Sequence, residues 1–518
     1  MKRSSRLMLV ALVASCGLVA AGMSPAGATS PTISAVSAGA DHTCALTSGG
    51  GVLCWGYNYY GQVGDDTVAS TSTPAWVSGL GSGAAAISAG DAHSCALTNG
   101  GGVLCWGNNE FGELGDGGQP YESSPTPAAV TGLGSGVAAI SAGDGHSCAL
   151  TNGGAVLCWG YNKYGQLGDG TTTNSSTPVA VSGLDGPVVA ISAGTLDTCA
   201  LITGGSLRCW GYNANGQLGN GTTTDSSTPV TPSGLNNGVV AVSTAGWHTC
   251  ALTSDGAVRC WGKNFSGELG DGTTTNSSTP VGVIGLNSGV TAIGVGEAHS
   301  CAMSSGGGMQ CWGDNGHGQL GDGTTTNSST PVGVIGLNSG ITAFSAAGAD
   351  NCALPGGGGL QCWGDNGFGG LGDGTTADRP TPVEVHFGQT ATGLKSSGTP
   401  SALGDPVTFT ATVIPADGGG TVAFSADGST IPGCGSQPVT RNGYAAHQAT
   451  CTTSSLSLGQ HAITASYSGD SLYDPSTSAP VQQNVLRCVN CVSSPTPLPY
   501  PLWGLVQTLN QLLVQLGI

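Results

Sequence analysis

Residues 146–170 read HSCALTNGGAVLCWGYNKYGQLGDG, and this stretch decides the fold because the chain repeats its pattern seven times. The dipeptide Cys-Trp recurs at 54–55, 105–106, 158–159, 209–210, 260–261, 311–312 and 362–363, in steps of 51, 53, 51, 51, 51 and 51 residues. A second cysteine stands ten residues before each of these: Cys44, Cys95, Cys148, Cys199, Cys250, Cys301 and Cys352. Each copy also carries four short β-prone runs, which in the third copy are VAAIS, HSCAL, AVLCWG and TPVAV. Gly, Asn, Asp, Pro and Thr separate them, and these are the turn-forming residues. Within a copy no apolar run has a helical period. Four-stranded units repeated seven times predict an all-β chain whose residues 33–387 close into a seven-bladed propeller.

The strand register follows from the same stretch. In the first copy, setting Leu46 against Val52 places Ala45 against Leu53 and Cys44 against Cys54, with Thr47 to Gly51 as the connecting loop. Directly opposed strand residues have the separation a disulfide requires. The expected bridges are therefore Cys44–Cys54, Cys95–Cys105, Cys148–Cys158, Cys199–Cys209, Cys250–Cys260, Cys301–Cys311 and Cys352–Cys362. A bridge closing so short a loop contributes roughly 2–3 kcal/mol. Metal binding by the pairs is disfavoured, since the spacing is not a zinc pattern and no regular His or Cys partners accompany it. No metal and no cofactor are expected. The Trp after the second cysteine reads as an anchor between blades. The residue two before the first cysteine is His42, His93, His146, His248 and His299 in five copies and Asp197 and Asp350 in two. It reads as a strand-end hydrogen bond that ties the blade together. Asp65, Asp116, Asp169, Asp271, Asp322 and Asp373, with Asn220 in the fourth copy, fall at one repeat position. A ring of cation-binding carboxylates is one reading; an Asx-turn in every copy, which Asn220 also satisfies, is preferred.

The pattern H-[ST]-C-A-L-T-x-x-G-x-V-x-C-W-G-x-N-x-x-G-Q-L-G-D-G resembles the regulator of chromosome condensation repeat, over about residues 33–387. The resemblance implies a seven-bladed propeller and, from the family's name, guanine-nucleotide exchange on a small GTPase. The cysteine pair stands where the family's cytoplasmic and nuclear members carry ordinary strand residues, which points to an oxidising compartment.

The first 28 residues read as an export signal. Lys2, Arg3 and Arg6 precede an apolar run from Leu7 to Ala21, and Ala26-Gly27-Ala28 is a small-residue cleavage site. A lipobox-like Val13-Ala14-Ser15-Cys16 leaves a lipoprotein attached through Cys16 as the minor alternative. The protein is expected to be secreted or held at the cell surface, with no stable membrane span. The net charge of −18, which cleavage would deepen, repels phosphate backbones and argues against nucleic acid as a partner.

Binding by a propeller usually lies in the loops that differ between copies. One such loop precedes the histidine, from Ala40-Asp41 and Asp91-Ala92 to Gly246-Trp247 and Gly348-Ala349. The other follows Cys-Trp-Gly and holds six of the 11 tyrosines and three of the seven phenylalanines. The candidate contact residues are Tyr57, Tyr59, Tyr60, Phe111, Tyr161, Tyr164, Tyr212, Trp247, Phe265 and Phe368. Their concentration suggests a surface for a protein or glycan at or outside the cell surface. Local packing that caps each blade accounts for them equally well. No catalytic constellation stands out, so a non-catalytic binding or adhesion protein is expected. Nucleotide exchange and a carbohydrate-active enzyme remain alternatives, as does a structural envelope protein.

Residues 389–486 alternate in strands such as DPVTFTATVIPA and GQHAITASYSGD, and resemble a bacterial immunoglobulin-like domain. Cys434 and Cys451 are expected to pair within it. In the last segment, 487–518, a local Cys488–Cys491 disulfide, a Pro-rich linker and an apolar tail follow.

Overall fold

A computed structural model describes residues 33–487 except 358, 388–389, 415–419, 443–445, 470–472 and 474. The export segment, Cys16, the Cys488–Cys491 pair and the C-terminal tail lie outside the described residues.

The third repeat becomes four antiparallel strands, Val137–Ala142, His146–Thr151, Val156–Gly160 and Ser175–Ala180, hydrogen-bonded in chain order. Seven such sheets form, each from one continuous run of chain. Their first strands meet around the axis. The expected register holds: Leu46 faces Val52, Ala45 faces Leu53 and Cys44 faces Cys54. All seven blade disulfides are present, with Cα–Cα distances of 4.1 Å. Loop closure is tight because Thr47 N donates to Gly51 O at 2.8 Å, so the turn proper is three residues long. Each third strand slips register between its cysteine and the glycine after the tryptophan. That glycine cannot carry a side chain. Gly160 has φ 103°, and a Cβ there would lie 2.5 Å from Gly145 O.

Hydrophobic cores sit between blades. Cys148, Leu150, Val156 and Cys158 of the third blade share one core with Ala200, Ile202 and Trp210 of the fourth. The seven repeat tryptophans are 0% exposed. Each indole also finds a polar partner in the preceding blade: Trp106 Nε1 donates to Gln62 O at 2.9 Å, Trp159 to Glu113 O at 2.8 Å and Trp210 to Gln166 O at 2.9 Å. The anchoring role expected from sequence thus has both an apolar and a polar component.

The histidines act at a different place from the one expected. They join neighbouring blades instead of tying one blade together. His42 Nε2 lies 2.7 Å from Ser94 Oγ, His93 Nε2 2.8 Å from Ser147 Oγ, and His146 Nε2 2.8 Å from Thr198 Oγ1. Proton counting fixes the tautomer. Ser94 gives its only hydroxyl proton to Gln62 O at 3.0 Å, so His42 must donate from Nε2 and leave Nδ1 as a bare lone pair. His299 repeats this logic against Asn351 Oδ1 at 2.9 Å, an atom that can only accept.

The ring closes without exchanging a strand between the first and last blades. Trp55 Nε1 and Thr43 Oγ1 both donate to Gly370 O at 2.9 Å, and Ala38 N donates to Ser345 Oγ at 3.0 Å. The aspartates and Asn220 cap turns in all seven copies, as Thr171 N to Asp169 Oδ1 at 2.9 Å and Thr222 N to Asn220 Oδ1 at 3.1 Å illustrate. The Asx-turn reading is the observed one.

Beyond the propeller, two further sheets pack as a sandwich. One contains Ala391–Ser396, Val407–Ile414, Ala446–Thr453 and Thr440–Asn442. The other centres on Gly459–Tyr467 between Thr421–Ala426 and Val481–Leu486. Phe409, Phe424, Ile463 and Tyr467 fill the space between them, and Cys434–Cys451 bridges a loop to a strand at a Cα–Cα distance of 5.6 Å.

Candidate binding face

Both variable loops of each repeat emerge at the same end of the propeller. The backbone ties them together: Tyr57 N donates to Asp41 O at 2.9 Å, Tyr161 N to Gly145 O at 2.8 Å, Tyr212 N to Leu196 O at 2.9 Å and Lys263 N to Trp247 O at 2.9 Å. The loops before the histidines surround a shallow axial mouth of ≈ 170 Å³, lined by small residues and by Asp91, Asp144 and Glu297. The aromatic loops stand outside that mouth.

The aromatic residues form two arcs. Phe368 packs on Tyr57 with ring centroids 4.7 Å apart, and Tyr57 on Tyr59 and Tyr60 at 6.4 Å each. The second arc runs from Phe111 to Tyr161 (4.5 Å), Tyr164 (6.3 Å), Tyr212 (4.8 Å) and Trp247 (5.4 Å). Nine of the ten residues singled out in the sequence are therefore brought together. The tenth, Phe265, is 68% exposed and joins neither arc. Most rings in the arcs are half-buried against each other, while Tyr59 is 68% exposed. Lys163 Nζ already lies 5.5 Å from the centre of the Tyr164 ring, so the second arc accepts a cation on one aromatic face.

The mouth is acidic, and two of its acids, Asp91 and Asp144, hold protons unusually tightly. Asp91 is pushed up to about 7, first by loss of hydration and then by the facing Asp144 carboxyl. Asp91 sits at the exposed lip, yet protein crowds its carboxyl group, and the two aspartates share a hydrogen bond. Asp144 is raised as well, again mainly by burial. Next to the mouth, on the chain segment that follows Ala40, Asp41 is raised to about 6 by burial, with Asp91, Asp365 and Glu297 adding to the effect. Sequence reading placed these acids in a variable loop without assigning them a role. Their shared location appears only once the repeats are wrapped around an axis.

Two further features escaped the sequence. Tyr121 is 76% exposed with φ 74°, in the second copy, where the repeat runs two residues long. The 53-residue step was the available signal. His317 Nδ1 lies 2.8 Å from Asp378 Oδ2 and 3.6 Å from Asp365 Oδ2, joining blades six and seven. Its proton affinity is raised, chiefly by the hydrogen bond to Asp378. Between blades four and five the same two positions hold an amide pair, Asn276 Nδ2 to Asn215 Oδ1 at 3.3 Å. The His–Asp contact is thus a charged version of an inter-blade tie.

Comparison with known proteins agrees with this architecture. Residues 20–229 match the RCC1-like domain model, and residues 239–268, 290–319, 255–303 and 307–354 match models of the regulator of chromosome condensation (RCC1) repeat. Residues 394–486 match the bacterial Ig-like domain (group 3). The chain is 33% identical over 305 residues to the ultraviolet-B receptor UVR8 of Arabidopsis thaliana, covering 58% of this chain and 69% of the receptor. It is also 33% identical over 296 residues to the human E3 ubiquitin-protein ligase HERC2, but covers only 6% of that protein. Among solved structures, human WBSCR16 superposes with a TM-score of 0.58 at 23% identity, over 65% of this chain and 94% of that one. Yeast Prp20, solved with Kap60, gives 0.57 at 20% identity, over 72% and 91%.

Proposed function

Because the chain belongs to the regulator of chromosome condensation repeat family, whose propeller it builds, we propose that it is an exported, non-catalytic binding protein that grips a basic polypeptide segment on the loop end of that propeller. One observation carries this reading: two aromatic arcs flank an acidic axial mouth on the same face. Aromatic rings supply large contact area at little entropic cost, and acids beside them select lysine and arginine. The net charge of −18 adds long-range attraction for such a ligand. Export is supported by the eight disulfides among the described residues, since such bonds persist outside reducing compartments, and by the basic-then-apolar residues 1–28. The immunoglobulin-like sandwich serves as a spacer.

The test is cross-linking of the mature protein at the cell surface, followed by affinity measurement on the recovered ligand. Tyr57→Ala, Tyr161→Ala and Tyr164→Ala together are expected to weaken binding by at least about tenfold, the size expected when interface anchors are lost. Unchanged affinity would reject this face. A neutral glycan ligand would bind without the salt dependence that a basic segment must show. Raising the pH through about 7 strips the proton from the Asp91–Asp144 pair and makes the mouth more negative. Affinity for a basic segment should therefore rise between pH 6 and 8, and Asp91→Asn should flatten that rise.

A further inference from the structure

The seams between blades are internal replicas, and the one that closes the ring is built differently. At five seams a histidine donates across to a hydroxyl or amide of the next blade. Between blades four and five the histidine is replaced by Asp197, and a hydroxyl compensates: Thr244 Oγ1 donates to Asp197 Oδ2 at 2.8 Å. At the closing seam two replacements coincide. Asp350 stands in place of the histidine, and the position equivalent to Thr244 is Ala38, which has no hydroxyl. Gly370 stands where the other copies have Gln62, Glu113, Gln166, Gln217, Glu268 and Gln319, all buried.

Asp350 is consequently 2% exposed with neither carboxylate oxygen hydrogen-bonded. The Thr43 hydroxyl is near enough to polarise it, but its single proton goes to Gly370 O. In blade six, Gln319 Nε2 donates to Asp314 Oδ2 at 2.8 Å, whereas Asp365, the counterpart of Asp314, has no such amide to meet. A Cβ placed on Gly370 would meet Asp41 O at 3.4 Å and Asp350 Oδ2 at 3.5 Å, both ordinary contacts. Space that a glutamine or glutamate side chain fills in other blades is here faced by oxygens, one of them a buried, unpartnered carboxylate. Such a carboxylate is costly unless neutralised.

We propose that this seam is a cation site, with Asp350 and the Asp41 carbonyl as inner ligands, the Asp365 carboxylate as a third protein ligand and water filling the rest of an oxygen shell suited to Ca²⁺. All-oxygen, irregular coordination favours Ca²⁺ over Mg²⁺, which demands a regular octahedron. A proton on Asp350 is the competing occupant, and the experiment distinguishes the two.

Metal-stripped full-length protein is titrated with Ca²⁺ and, separately, Tb³⁺, reading thermal unfolding and tryptophan-sensitised Tb³⁺ emission. Trp55 is a built-in sensitiser, since its Nε1 contacts Gly370 O at 2.9 Å. The wild type is expected to gain several degrees and bind with a Kd of about 10⁻⁴–10⁻³ M, typical of extracellular Ca²⁺ modules. Gly370→Gln restores the side chain that four of the other blades carry, at a backbone position that is not left-handed. It should fold, yet lose binding at least tenfold, as should Asp350→His. Asp169→Asn, in an Asx-turn of blade three, should bind as the wild type does. No Ca²⁺ response in the wild type, or full retention in Gly370→Gln, would overturn the site.

Discussion

At the scale of single residues, the five inter-blade histidines are neutral donors in a buried seam. Burial holds His42, His146 and His248 at about 3 and His93 at about 4, against 6.5 in the unfolded chain. A lowered folded value means the contribution to stability is complete above about 6.5 and is lost as pH falls toward 3–4. The urea midpoint should therefore drop steeply between pH 6 and 4. A flat profile over that range would show that the imidazoles charge in place. His93→Ala leaves Ser147 without its donor and should cost about 1–3 kcal/mol at pH 7 by denaturant unfolding. The aspartates at this position give the converse test. Ala38→Thr supplies at the closing seam the hydroxyl that Thr244 supplies to Asp197. In metal-free buffer it should stabilise by about 1 kcal/mol.

At the scale of the strand pair, the sequence was close to sufficient. Opposed cysteines ten residues apart define one register, and the observed ladder is that register in every blade. The buried tryptophans were equally readable, because an aromatic at a fixed repeat position must face the same neighbour each time. What crosses between strands of different blades was not readable. Sequence placed His146 at a strand end, but its partner Thr198 is 52 residues away in the next repeat. Nothing local marks that pairing. Two substitutions probe the hairpin itself. Replacing both Cys148 and Cys158 with Ser should cost roughly 2–3 kcal/mol, the short-loop value, measured by chemical denaturation. Gly160→Ala adds a Cβ 2.5 Å from Gly145 O at φ 103°, and should destabilise more than a typical surface change of about 0.5 kcal/mol.

At the scale of the whole molecule, closure is an arrangement of side chains. The last blade does not borrow a strand from the first; Trp55, Thr43 and Ala38 make the join through hydrogen bonds and packing. This also explains which part of the candidate face sequence could reveal. Its aromatic residues stand out one repeat at a time, so their concentration was visible. The axial acids lie in different repeats, and only the ring brings Asp91 opposite Asp144. Because every blade is one uninterrupted meander, the order of the blades along the chain carries little topological information. A circular permutant opened between blades three and four, with a short linker joining residues 33 and 387, should fold to the same ring with all seven bridges intact by unreduced peptide mapping. The same property governs how such a chain can lengthen in evolution: duplicating one 51-residue copy inserts a finished building block, and no existing strand has to be rethreaded.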